Sequence, residues 1–155
     1  DFKAAFKMHL LCNQILTQAV VPGMKSKCFG RIVNIISTSV KVPITNLGVS
    51  NTIRGAVASW AKTMANELGE YGITVNNVLP GFTNTDRLKS LIQQKVAKTG
   101  VSENDIIANM KKQIPAQRFG NASEVANAIA FLCSPAAGYI NGINLPVDGG
   151  RTGAL

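Results

Sequence analysis

Two short runs of apolar, mostly β-branched residues, each preceded by a long stretch of helical periodicity, constrain this chain more than any other feature. Arg31-Ile32-Val33-Asn34-Ile35-Ile36 and Ile73-Thr74-Val75-Asn76-Asn77-Val78-Leu79 do not alternate cleanly between apolar and polar residues. A strand with one face in water alternates, whereas a strand buried on both faces does not, and burial on both faces is the condition of parallel strands covered by helices. The helices are legible as well. Residues 3 to 21 set Phe6, Leu10, Leu11, Ile15, Leu16 and Ala19 near the 3.6-residue period, and Pro22-Gly23 is expected to end that helix. The same period returns from Gly48 to Leu68 through Ile53, Val57, Trp60, Ala61 and Met64, with Gly69 and Gly72 as expected stops.

Pro80-Gly81 is expected to halt the second run. Residues 83 to 118 are then polar, with two short helical stretches at 86–97 and 104–112, and a connection that long marks a binding loop or lid. Asn121-Ala122-Ser123-Glu124 opens a third core helix, running through Cys133, with Asn121 as N-cap and Glu124 as its capping-box partner. Gly142 to Gly150 reads as a final strand and turn. The order helix, strand, helix, strand, lid, helix, strand is that of an α/β chain with a parallel sheet, and no internal repeat interrupts it. Three parallel strands make a narrow sheet with open edges, so the layout is that of part of a larger doubly wound domain.

Composition narrows the function classes. With 155 residues, 46% hydrophobic and 15% charged, the chain is expected to fold as one domain. No run approaches the roughly 18 apolar residues of a membrane span, and residues 1 to 7 lack the order of a signal peptide, so a cytoplasmic protein without membrane attachment is the expectation. Sixteen Lys and Arg against eight Asp and Glu give a net charge of +8. The basic residues are scattered, with no run longer than Lys111-Lys112, and the aromatic residues do not interleave with them, so nucleic-acid binding is not expected. An anionic cofactor, an acyl-carrier-linked substrate or a solvated surface without a partner would each suit that sign. Cys12, Cys28 and Cys133 are odd in number, without Cys-x-x-Cys spacing, and His9 is the single histidine. Neither a disulfide framework nor a metal site is expected, and the thiols are expected to be buried and free.

The segment from Gly30 to Ser37, the long helix running into Gly72 to Gly81 with Thr85 beyond it, and Ile140-Asn141-Gly142 leading to Val147-Asp148-Gly149-Gly150 follow one another in a familiar order. In that order the whole chain resembles the C-terminal part of the short-chain dehydrogenase/reductase family, close to its oxoacyl-carrier-protein reductases. The resemblance implies a doubly wound, Rossmann-like domain and an oxidoreductase that uses NAD or NADP on a carbonyl or alcohol, with 3-oxoacyl compounds among the substrates. It implies a homodimer or homotetramer paired through the two long helices, where Gly55, Ala56, Ala58 and Ser59 permit close approach. It also implies that Pro80, Gly81, Phe82, Thr83 and Thr85 form the loop that meets the nicotinamide carboxamide. A proline of fixed φ and a glycine that leaves room for a ligand suit that role. The family's glycine-rich dinucleotide fingerprint is absent from all fourteen glycines. Residues 1–155 are therefore expected to be the C-terminal part of one such domain, without its first cofactor-binding half and with a lid at 83–118.

Family chemistry moves a hydride between nicotinamide and a carbonyl carbon while a tyrosine handles the proton on oxygen. A serine hydrogen-bonds that oxygen, a lysine lowers the tyrosine pKa, and an asparagine on the preceding helix anchors a relay water. Ser37, ending the first run, matches the serine, although a strand-end or capping hydroxyl would look the same. Thirteen positions on, Ser50 stands where the tyrosine belongs and Arg54 where the lysine belongs, and His9 occupies the aligned asparagine position. Tyr71 and Tyr139, followed four residues on by Val75 and Ile143, do not restore the motif. A serine hydroxyl is a far weaker acid than a phenol of pKa about 10, and arginine stays charged. Ser50 and Arg54 at i and i+4 share one helix face, where Arg54 could meet a ribose hydroxyl, a phosphate, an acidic substrate or only a surface carboxylate. His9, with an ordinary pKa of about 6.5, is a candidate replacement acid or base, or simply a packed helix histidine. A non-catalytic relative, keeping the fold as a binding or oligomerisation module, is the second reading.

Overall fold

In the computed structural model, which describes residues 2–153, the two apolar runs become neighbouring parallel strands. β1 (Gly30–Ile35), β2 (Ile73–Pro80) and β3 (Asn144–Val147) form one sheet in the order β1-β2-β3, with both pairings parallel. β2 is central, and every residue from Ile73 to Leu79 is buried. β1 is not buried on both faces as expected: Ile35 is 56% exposed, because it lines the cleft described below instead of the core.

The first helical rod consists of α1 (Phe2–Ala5), a π-helical segment (Phe6–Leu11) and α2 (Cys12–Ser26). Pro22-Gly23 does not end it, although the proline ring removes one backbone hydrogen bond and crowds the carbonyl four residues back. The extra turn lets Met24 join Val21 against the core of Ala61, Ala65, Leu68, Ile73 and Val75. The rod stops at Cys28, whose φ of 48° turns the chain toward β1. Thr17 is the buried residue of α2, and Gln14 accepts a 2.7 Å hydrogen bond from the Trp60 indole. Much of the expected apolar stripe, including Phe6, Leu11, Ile15 and Leu16, faces solvent.

α3 (Gly48–Leu68) lies where the periodicity puts it. Gly69, however, keeps a right-handed φ of −59° and only starts a 3-10 turn through Tyr71; the reversal occurs at Gly72, with φ +71°. The lid comprises α4 (Asp86–Thr99) and α5 (Glu103–Lys112), each slightly longer than expected, closed around Leu88, Ile92, Ile106 and Met110. α6 (Ala122–Cys133) begins with the Glu124 carboxylate accepting the Asn121 backbone N–H at 2.8 Å. Val75 and Leu79 of β2 pack toward α3, while Val78 meets Leu132 of α6, so the sheet is covered on both faces. The thiols are a correction: Cys12, Cys28 and Cys133 are free but exposed, set on an outer helix face, in a turn and at a helix end.

The asparagines inside the strands are partnered, as buried polar groups need to be. Asn34, Asn77 and Asn144 are register neighbours across the three strands. Asn13 of α2 donates to Asn34 at 3.2 Å, Asn34 to Asn77 at 2.9 Å and Asn77 to Asn144 at 2.8 Å. Asn76 and Asn141 fasten the turn before β3 to the sheet, with Asn76 donating to the Ile140 carbonyl and Asn141 accepting from the Val75 N–H.

Candidate active site

The carboxyl ends of β1 and β2 open into a cleft of about 550 Å³. Pro80, Gly81, Phe82, Thr83 and Thr85 line one side of it, Ile35 and Ile36 another, and Leu88, Leu91, Val125 and Ile129 make the helical walls. The loop is braced by its own backbone. Gly81 donates to the Val147 carbonyl at 3.0 Å, Gly120 to Phe82 at 2.9 Å and Asn84 to Gly120 at 2.8 Å. Gly81 has no room for a side chain, since a Cβ there would lie 2.6 Å from Asp148 Cβ. Thr85 caps α4, accepting the Leu88 N–H at 3.4 Å and donating to the Thr83 carbonyl at 3.3 Å. Apolar walls at the ends of parallel strands suit a flat heteroaromatic ring, while both threonine hydroxyls beside them are spent on backbone carbonyls, Thr83 donating to Gly81 at 3.2 Å and Thr85 to Thr83 at 3.3 Å. The chain carries no glycine-rich strand-to-helix turn of the kind that holds dinucleotide phosphates.

Ser37 follows β1 with extended backbone and begins the 3-10 turn Thr38–Val40, its Oγ accepting the Ser39 N–H at 3.1 Å. It is a capping hydroxyl, and accepting that bond leaves its O–H free to donate. His9, Ser50 and Arg54 meet around a second cavity of about 320 Å³, walled also by Ala5, Asn46, Leu47 and Ile53. His9 sits in the π-helical segment, and such segments are frequent at functional sites. Arg54 donates to the Ile35 carbonyl at 3.3 Å, joining this cavity to the strand that walls the first. Burial, and secondarily the Arg54 charge, hold the His9 pKa below its usual 6.5, so its imidazole is neutral at neutral pH. Burial also lowers the pKa of Arg54. Eight of the nine sequence-predicted residues therefore form two groups, the Pro80 to Thr85 loop residues at the first cleft and His9, Ser50 and Arg54 at the second, while Ser37 lines neither. Among the described residues there is no cluster of His, Cys, Asp or Glu able to hold a metal, and no helix is long and apolar enough to cross a membrane.

Three features had not been anticipated. Asn51 clamps the loop before α3 through both its amide groups, donating to the Ile44 carbonyl at 2.8 Å and accepting the Ile44 N–H at 3.4 Å. Asp148 is raised by burial, yet hydrogen bonds from Thr152, Gly150 and Arg151 outweigh that and hold its carboxyl below the usual range. Arg151 stacks its guanidinium over the Phe82 ring at 4.2 Å. The Asp148-Gly149-Gly150 turn was the only local signal for the last two.

A parallel sheet covered on both faces, with a cleft outside the carboxyl ends of the strands, defines a doubly wound α/β protein. Within that class the chain belongs to the short-chain dehydrogenase/reductase family. A family profile described as enoyl-(acyl carrier protein) reductase matches residues 1–152. The chain is 39% identical over 137 residues to 3-oxoacyl-[acyl-carrier-protein] reductase FabG of Vibrio cholerae serotype O1, covering 87% of this chain and 51% of that protein. It is 33% identical over 150 residues to 7alpha-hydroxysteroid dehydrogenase of Escherichia coli K12, covering 97% and 55%. A gluconate 5-dehydrogenase from Burkholderia cenocepacia, solved in complex with NADP and tartrate, superposes with a TM-score of 0.85 at 30% identity over 100% of this chain and 57% of its own. The chain spans about half the length of the curated relatives it matches.

Proposed function

We propose that residues 1–155 are the C-terminal part of one short-chain dehydrogenase-type domain and provide the substrate side of an NAD(P)-dependent oxidoreductase acting on a carbonyl or alcohol, 3-oxoacyl compounds included. The observation that carries this reading is the cleft at the ends of β1 and β2, where the Pro80 to Thr85 loop faces the strand that leads into Ser37. Relatives at 39% and 33% identity that are named as a reductase and a dehydrogenase support it. Pro80, Gly81, Phe82, Thr83 and Thr85 hold the nicotinamide end of the cofactor. The cofactor, when bound, supplies or receives the hydride.

The remaining work falls to this chain's side chains. Ser37 donates its O–H to the carbonyl oxygen, stabilising the charge that develops there. Arg54, anchored on the Ile35 carbonyl, adds fixed positive charge next to the same strand end. His9, neutral near pH 7, accepts a proton in the direction of alcohol oxidation. The 83–118 lid and the loop after β1 close over the substrate, and a homo-oligomer forms through α2 and α3, where apolar side chains such as Ile15 and Leu16 lie exposed.

Turnover of small ketones, quinones and acyl thioesters with NADH and NADPH tests this. Ser37→Ala is expected to lower turnover by about 100-fold or more, the effect of losing one oxyanion donor. Unchanged turnover in that variant overturns the reading. One observation favours the non-catalytic alternative: Ser50 places no phenol in the cavity where the family's proton donor stands. Saturable cofactor binding without turnover on any of these substrates would select it.

A further inference from the structure

A third cavity, of about 330 Å³, lies between the loop after the Thr38–Val40 turn, Gln113 at the end of the lid, and Arg151 with Thr152 and Gly153. Among the described residues its lining carries one charge, the Arg151 guanidinium, surrounded by neutral hydrogen-bonding side chains (Thr38, Thr45, Gln113, Thr152) and no carboxylate. Arg151 has no ion-pair partner among the described residues, and the Phe82 ring covers one face of its guanidinium at 4.2 Å. Its Nε is shielded from solvent and meets no acceptor. The nearest carboxylate in sequence, Asp148, is turned to the backbone N–H groups of Gly150 and Thr152. A cation held by stacking on one side, whose guanidinium lines a cavity with no carboxylate among the described residues, has the chemistry of an anion receptor.

The position ties this receptor to the proposed active site. Thr38 directly follows Ser37, and Phe82, which supports Arg151, also lines the large cleft. We infer that the cavity binds the carboxylate of the substrate, with Arg151 as the residue that selects it, so that the substrate class is small oxo or hydroxy acids. This rests on the oxidoreductase reading for the word substrate, but the anion site stands on its own geometry.

Calorimetric titration of the purified protein with succinate, and with its uncharged diamide succinamide, tests the site without any turnover. Succinate is expected to bind saturably and succinamide not to. Arg151→Gln is expected to weaken succinate binding by about 10- to 100-fold, the range for losing a hydrogen bond to a charged group, with melting temperature preserved. Arg151→Lys should restore part of it, and Lys98→Gln, which removes an exposed cation on α4, should leave it unchanged. Absent succinate binding, equal binding of the diamide, insensitivity to Arg151→Gln, or an equal loss with Lys98→Gln would each overturn the inference. Arg151-dependent succinate binding in a protein whose turnover ignores Ser37 would leave the anion site standing and remove the oxidoreductase reading. Ser37-dependent reduction of neutral ketones without succinate binding would do the reverse.

Discussion

His9 is the chain's single histidine, and it faces a cation across the cavity it lines. With its pKa held below 6.5 by burial and by Arg54, the folded state binds a proton less readily than the unfolded chain. Its share of stability is therefore complete above pH 6.5 and is lost as pH falls from 6.5 through the depressed value. The one imidazole signal in a proton NMR titration is expected to have its midpoint below 6.5 and to move upward in Arg54→Gln; a midpoint at or above 6.5 in the native protein would contradict this. At this scale the sequence showed which side chains could do chemistry but not what state they would be in. Ser50 and Arg54 were legible as a pair because four-residue spacing puts them on one helix face. The lowered His9 pKa was not, because its first cause is burial in the fold and its second is the Arg54 charge on α3, more than forty residues away. The thiols were misread because cysteine's tendency to be buried concerns the residue type, while exposure depends on which face of an element carries it.

Among the elements, the turn from α3 into β2 makes a sharp contrast between two glycines. Gly72 has φ +71°, and a Cβ there would meet the Cys28 carbonyl oxygen at 2.4 Å; Gly69 has φ −59°, and its Cβ would meet nothing closer than Asn141 Nδ2 at 3.3 Å. Gly72→Ala is expected to destabilise the fold by more than about 1 kcal/mol, whereas Gly69→Ala should fall within a few tenths of the parent in urea denaturation. Both glycines look like helix stops in the sequence and both lie at one, Gly69 capping α3 and Gly72 capping the 3-10 turn after it, but only Gly72 makes the left-handed reversal. Periodicity located α3 correctly because its buried residues, Ile53, Val57, Ala61 and Leu68, form one face. It misplaced the end of α2 because Pro22 is tolerated where Val21 and Met24 have a core to reach. The π-helical turn around His9 left no mark in the apolar spacing, since it changes hydrogen-bond partners and not residue type.

For the whole molecule, the exposed apolar side chains of the first rod set the expectation for assembly. Ile15 and Leu16 are 56% and 58% exposed, on a helix that touches the core mainly through its other face. Ile15→Lys is expected to shift the sedimentation coefficient toward a single subunit without lowering helix content; an unchanged coefficient would count against a dimer through this face. The parallel sheet and its doubly covered faces were readable from the two apolar runs. The pairing of the strand asparagines was not readable, because a single sequence does not reveal that strand register brings Asn34, Asn77 and Asn144 side by side. Their side chains, with Asn13, form a row in which every amide gives its N–H to the oxygen of the next. Such a row has a direction. Turning one amide around would set nitrogen against nitrogen on one side and oxygen against oxygen on the other, so the row can reverse only as a unit, and it holds α2 and all three strands to a single shared polarity.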